Sequence, residues 1–156
     1  AISGKIGYYK EFPGRLRKEV KKGFEQYTEE YKDEEGKTRR RTKYKKVKYT
    51  EYFKENRVQL SFQYRLISQE SGQILLSNIK ESKHSDRMHY ITYQGNTRKL
   101  YPSKGGNVDT SRQGRDRIQN LVEGKRNLKS ILELSNELSR QNAGEITSHI
   151  FSYLIK

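Results

Sequence analysis

The chain has 156 residues, enough for one domain with a sizeable core. Only 31% of it is apolar and 33% is charged, and 33 Lys and Arg against 19 Asp and Glu leave a formal charge of +14. The absence of Cys excludes a disulfide-stapled scaffold and any thiolate metal site, and no apolar run reaches the ~18 residues of a membrane-crossing helix.

Residues 1–23 are basic and punctuated by Gly4, Gly7, Gly14 and Gly23. They read as an irregular segment, with a strand around Ile6 to Tyr9, a turn at Pro13-Gly14 and a loop or helical turn over Arg15 to Lys22. Phe24 to Tyr31 suits a strand, and the polar run 32–37 with Gly36 suits a turn. Arg39 to Phe53 reads as the return strand of a long hairpin. Val47, Tyr49, Glu51 and Phe53 fall on one of its faces and Lys46, Lys48, Thr50 and Tyr52 on the other.

The clearest alternation is Val58, Leu60, Phe62, Tyr64 and Leu66, separated by polar residues. The loop 68–72 joins it to Ile74 to Ile79 as a hairpin, and a further strand is expected from Met88 to Tyr93. Residues 101–117 have no periodicity and read as a long loop. The region 127–155 is helical: Leu128, Ile131, Leu132 and Leu138 form one stripe, and Ile146, Ile150, Phe151 and Leu154 another. Asn142-Ala143-Gly144 either breaks this region into two helices or lies inside one long helix. The sum is a single α+β domain over 1–156, an antiparallel sheet of about five strands with C-terminal amphipathic helices on one face. Alternation rather than continuous apolar runs favours antiparallel pairing.

The densest charge lies between Gly36 and Lys48, which holds eight Lys or Arg and no acid. Glu29, Glu30, Asp33, Glu34 and Glu35 precede it. Arg39, Arg40, Arg41, Lys43, Lys45 and Lys46 are therefore the candidate polyanion-binding residues on a strand. The opposing explanation is that cross-strand carboxylates neutralise the run. Tyr44, Tyr49, Tyr52 and Phe53 interleave with it, but the aromatics mix faces and no nucleic-acid module signature appears.

Chemistry-bearing motifs are sparse. His84-Ser85-Asp86 holds triad residue types, yet adjacent strand residues do not face one another, and a polar turn is the plainer reading. His84 and His89 lack the spacing of helical metal ligands, and His149 reads as a boundary residue of the last helix. Gly124-Lys125 fails the phosphate-loop pattern, and Gly4-Lys5-Ile6-Gly7 lacks the preceding helix of a GXXG loop. No catalytic, cofactor or metal residues are expected.

Tyr64-Arg65-Leu66-Ile67 with Glu70-Ser71-Gly72-Gln73-Ile74-Leu75-Leu76-Ser77 resembles the Y-R-L-(V/I)-D-x-x-(T/S)-G-x-(I/V)-L-x-S hairpin of the curli-secretion lipoprotein superfamily and its cell-envelope relatives. His89 to Leu100 resembles a Y-A-x-Y-x-G-D-x-R-A-L segment of Bacteroidetes-type envelope proteins. The resemblance covers about half the chain. It departs at Gln69, where an acid is usual, and at Asn96, where Asp is frequent. It implies a non-enzymatic binding or scaffolding domain, exported to the periplasm or outer membrane and lipid-anchored. Its partners would be other envelope proteins or the anionic envelope surface, with no cofactor. The chain opens on Ala1, so a signal peptide or lipidated Cys would lie upstream of it. The alternative is a cytoplasmic nucleic-acid-binding domain using the basic strand 37–48. The sequence specifies neither ligand nor oligomeric state.

Overall fold

A computed structural model describes residues 1–155. Six antiparallel strands are ordered β1-β3-β2-β5-β6, with β4 also paired to β3. They are β1 (Ile2–Phe12), β2 (Arg17–Lys32), β3 (Thr38–Ile67), β4 (Ile74–Thr92), β5 (Leu100–Lys104) and β6 (Asn107–Val108). Two helices follow, α1 (Arg112–Val122) and α2 (Ile131–Leu154). The α+β class and the antiparallel sheet agree with the sequence reading.

Three expectations change. Residues 1–23 are mostly strand, because remote partners complete their ladders. Ile2 to Phe12 pairs with Leu66 to Arg57, and Arg17 onward pairs with β3 from Phe53 backward. Pro13-Gly14 does lie in the connection between β1 and β2, as expected, whereas Gly4, Gly7 and Gly23 sit inside strands. A Cβ on Gly23 would stand 2.8 Å from the Tyr101 carbonyl oxygen, and one on Gly14 would collide with the Glu55 backbone. The expected strands at 39–53 and 58–66 are one 30-residue strand, and those at 74–79 and 88–93 are likewise one. The expected loop 101–117 contains most of β5, all of β6 and the start of α1. Of the two alternatives at Asn142-Ala143-Gly144, the single helix holds: α2 runs unbroken through Gly144.

The chain divides into two compact units. The first comprises Ala1–Arg15, Glu55–Arg87 and Leu128–Lys156; the second comprises Leu16–Lys54 and Met88–Asn127. Strands β3 and β4 supply residues to both.

In the first unit, Val58, Leu134 and Leu138 form the core, with Leu60 and Ile131 packed against them. Tyr64 and Leu66 are buried and Leu60 and Phe62 half-buried, but Ser61, which the alternation places on the polar face, is buried as well. On α2 the buried residues are Leu134, Leu138, Asn142 and Ile150, while Leu132, Phe151 and Leu154, expected on the apolar stripes, are exposed. Ser130 caps this helix reciprocally. Its hydroxyl accepts from Glu133 N at 3.1 Å, and its own N–H donates to the Glu133 carboxylate at 2.7 Å. Buried Asn56 accepts from Gly14 N at 2.9 Å and donates to the Lys129 carbonyl at 3.0 Å, so one side chain fastens the turn after β1 and the approach to α2.

In the second unit, Tyr49, Ile91, Leu100 and Ile118 form the core, flanked by Val47, Tyr93, Leu121 and Val122. The Ser111 hydroxyl caps α1 by accepting from Gly114 N at 3.1 Å.

Candidate polyanion-binding face

The turn at 33–37 sets the register of the β2–β3 hairpin. Asp33 Oδ1 accepts from Glu35 N and Lys37 N, and Gly36 takes the positive φ that the reversal needs. From there the strands zip in order, and Glu30 faces Arg40, Glu29 faces Arg41 and Glu25 faces Lys45.

Five of the six sequence candidates meet a carboxylate on this ladder. Arg39 Nε lies 2.8 Å from Asp33, Arg40 Nε 3.0 Å from Glu30 and Arg41 Nε 2.5 Å from Glu29. Lys43 Nζ lies 3.0 Å from the same Glu29, and Lys45 Nζ 3.1 Å from Glu25. The hydrogen bond from Lys43 and then that from Arg41 hold Glu29 below its ordinary carboxylate range. The Arg39 hydrogen bond, followed by the Lys37 backbone, does the same for Asp33. Glu25 is lowered first by the Tyr93 hydroxyl, which donates to it, and then by Lys45. Burial, followed by this same bond, pushes the Tyr93 phenol up to about 12.

The sixth candidate, Lys46, differs. It faces Phe24, and one step further Lys48 stands directly across from Lys22. Alternation places Lys22, Phe24, Lys46 and Lys48 on one side of the hairpin. Among the described residues, no carboxylate lies within ion-pair distance of Lys22, Lys46 or Lys48. These lysines rim an open cleft of about 560 Å³ that Ser103 and Gly106 also line. Like charges directly opposed across a ladder repel, so this point of the hairpin stores unfavourable field that an anion relieves.

Lys22 and Lys48 were not among the sequence candidates. Counting back strand by strand from Gly36 would have found their opposition, had residues 17–23 been read as strand.

Each histidine has a partner of its own. His84 Nε2 lies 3.0 Å from Glu137 in the first unit, where Asp86 accepts from Lys129 N at 2.9 Å. His89 Nε2 lies 2.6 Å from Glu51 in the second unit, its ring edge-on to Phe53. Glu51 directly faces Glu19 across the ladder; Lys21, 3.0 Å from Glu19 and 3.9 Å from Glu51, offsets that repulsion. The Tyr64 hydroxyl lies 2.5 Å from His149 Nδ1, fastening the last helix to β3. Among the described residues no three His, Asp or Glu side chains gather as a metal site, and no helix is long and apolar enough to cross a membrane.

No family model, curated protein or solved structure matches this chain.

Proposed function

We propose that this chain is a non-enzymatic binding module of a bacterial cell-envelope protein, and that it engages anionic envelope surface through Lys22, Lys46 and Lys48. The observation that carries the reading is the contrast within one hairpin. Arg39, Arg40, Arg41, Lys43 and Lys45 each meet a carboxylate, whereas Lys22, Lys46 and Lys48 have none among the described residues and together line an open cleft. Such an arrangement suits phosphate or carboxylate oxygens presented in an array, since lysine holds an anion as a point charge without fixing its orientation. The envelope setting rests on the resemblance of residues 58–100. A nucleic-acid reading draws on one feature, the half-buried Phe24 between the lysines, whose ring offers a base a stacking partner.

Charge reversal at Lys22, Lys46 and Lys48 separates the readings. Co-sedimentation with anionic vesicles at physiological salt is expected for the wild type and lost in the triple Lys→Glu variant. Reversal at Arg40 and Glu30 together, which swaps an existing pair, leaves it unchanged. Tight retention of a single-stranded oligonucleotide at the same salt, with no vesicle binding, transfers the face to nucleic acid. In that case the log–log salt slope falls by roughly 0.7 to 0.9 per phosphate contact removed. A strictly cytosolic product on fractionating cells that express the full-length gene ends the envelope reading.

A further inference from the structure

In the second unit, β3 runs on past the end of β4. Tyr90 of β4 stacks on Tyr52 at 4.8 Å, and β4 ends two residues later at Thr92. The chain then leaves the sheet. The Tyr93 hydroxyl donates to Glu25, and a Cβ on Gly95 would collide with both of those side chains, so the exit is closely fixed. From Lys48 back to Thr38, β3 has β2 on one side and no strand on the other. A cleft of about 810 Å³, lined by Lys45, Val47 and Thr50 of β3 and by Thr92 and Gly95, opens where β4 stops.

The turn decides which backbone groups face that open edge. Asp33 N donates to the Lys37 carbonyl at 3.0 Å, and the β2–β3 register continues from there without a shift. Bonded and non-bonded pairs alternate along an antiparallel ladder, so the odd-numbered residues of this stretch exchange bonds with β2. The even-numbered ones, Arg40, Thr42, Tyr44, Lys46 and Lys48, turn their N–H and C=O outward. Neither strand pairing nor a turn bond among the described residues takes these groups up. The outer edge of β1 is also open, but its register shifts between Ile6 and Tyr8, and such a bulge interrupts pairing. The β3 edge has no interruption of that kind.

Charge narrows what fits. Arg39 to Lys48 holds seven cations and no acid. A second copy of this edge would bring like charges face to face, which opposes self-pairing. To Lys46 and Lys48, β2 presents only Phe24 and Lys22. We propose that an acidic, extended segment of another protein joins β3 here as its next antiparallel strand. Its backbone bonds the outward groups of Arg40 to Lys48, and its alternate side chains set carboxylates beside Lys46 and Lys48. In strand addition the backbone supplies affinity and the side chains select the partner. The inference rests on two lysines of the proposed anion-binding face and adds the backbone beside them.

The probe is an N-acetylated nonapeptide of alternating Glu and Val, labelled with fluorescein and followed by anisotropy at physiological salt. Saturable one-site binding to the wild-type chain is expected. Amide exchange should slow at Thr42, Tyr44 and Lys46, whose N–H groups face outward, and stay unchanged at Lys43 and Lys45, which already bond β2. Thr42→Pro removes one outward donor and obstructs the edge while sparing the β2 ladder. It should keep the melting temperature and weaken the peptide at least about tenfold. Peptide binding without vesicle binding supports the edge and sinks only the envelope-surface reading; vesicle binding without peptide binding does the reverse. Unchanged peptide affinity in Thr42→Pro overturns the proposal. So does binding with no slowing at the even-numbered amides, which marks a contact of side chains alone. A concentration-dependent dimer of the wild type that Thr42→Pro abolishes also overturns it, in favour of a second copy.

Discussion

In the second unit β3 carries Arg39 to Lys48, and β2 and the turn after it answer most of these cations with Glu25, Glu29, Glu30 and Asp33. In the first unit the same strand carries Val58 to Leu66, and α2 answers with Leu134 and Leu138. Each answer is incomplete. The charged half keeps Lys22, Lys46 and Lys48, among others, without carboxylates, and the apolar half keeps Ile2 and Ile6 exposed. One continuous strand thus supports two surfaces that require opposite solvents. In both units, what stays exposed is the remainder left once the fold has satisfied its own side chains. With 33 Lys and Arg against 19 Asp and Glu, cations outnumber the carboxylates that could answer them.

The largest expected effect tests whether the units are energetically distinct. Leu138→Ala empties a fully buried site in the first unit and should cost ~2–5 kcal/mol. Amide hydrogen exchange then reports how the cost spreads. Protection is expected to fall across the amides of β1 and α2 while those around Ile118 and Leu100 keep theirs. An equal loss in both units would mean that the strands β3 and β4 bind them into one cooperative block, and the comparison would dissolve.

A smaller effect sharpens the same contrast at the helix ends. Ser130→Ala removes a reciprocal cap and Ser111→Ala a single hydrogen bond, each near ~1 kcal/mol. The Ser130 variant should show the larger drop in melting temperature. Glu133 is held low first by its bond to the Ser130 backbone, and that bond weakens as the turn frays. Equal drops would mean that the Glu133 arm of the box contributes nothing.

Much of the first unit was legible because its signal is local. The alternation at 58–66 names its own buried face, and the Gly72 hairpin follows directly. The strands at 2–12 and 17–32 were not, because what makes them strands lies elsewhere in the chain. Gly23 suits a strand only when Tyr101 crowds it, and Arg17 only when Phe53 is its partner. Lys54 to Arg57 suggested a break, yet Asn56 is buried with both ends of its amide bonded, so β3 passes through. Helix α1 was hidden by Ser111, which signals a loop in sequence and a cap in three dimensions. Leu132 and Leu134 are both leucines two residues apart, and only docking decides which faces the core. For the binding face, the run of cations was visible and its neutralisation was foreseeable. Which lysines escape depends on register to the single residue, and composition does not encode that.

The smallest effect is acidic, and it bears on that escape. Glu29 and Asp33 have folded pKa values below their ordinary 4.5 and 3.8. Their contribution to stability is therefore fully present above those ordinary values and is lost as pH falls through the lower folded ones. Exposed pairs on this ladder are individually weak, so only a slight fall in melting temperature is expected between pH 5 and the folded titration range. Binding is the more sensitive readout. Once Glu29 and Asp33 are protonated, Arg39, Arg41 and Lys43 have no anionic partner. Dextran sulfate stays charged at these pH values, so it serves as the probe. A Lys22→Gln, Lys46→Gln, Lys48→Gln variant should bind it poorly at pH 6 and regain affinity as pH falls through the folded titration range of Glu29 and Asp33, with a steeper salt dependence. If the variant stays inert at low pH, the ladder cations are masked by something other than their carboxylates. Full binding at pH 6 instead would mean that the ladder never neutralised them, and the distinction between paired tip and unpaired lysines would fail at its source.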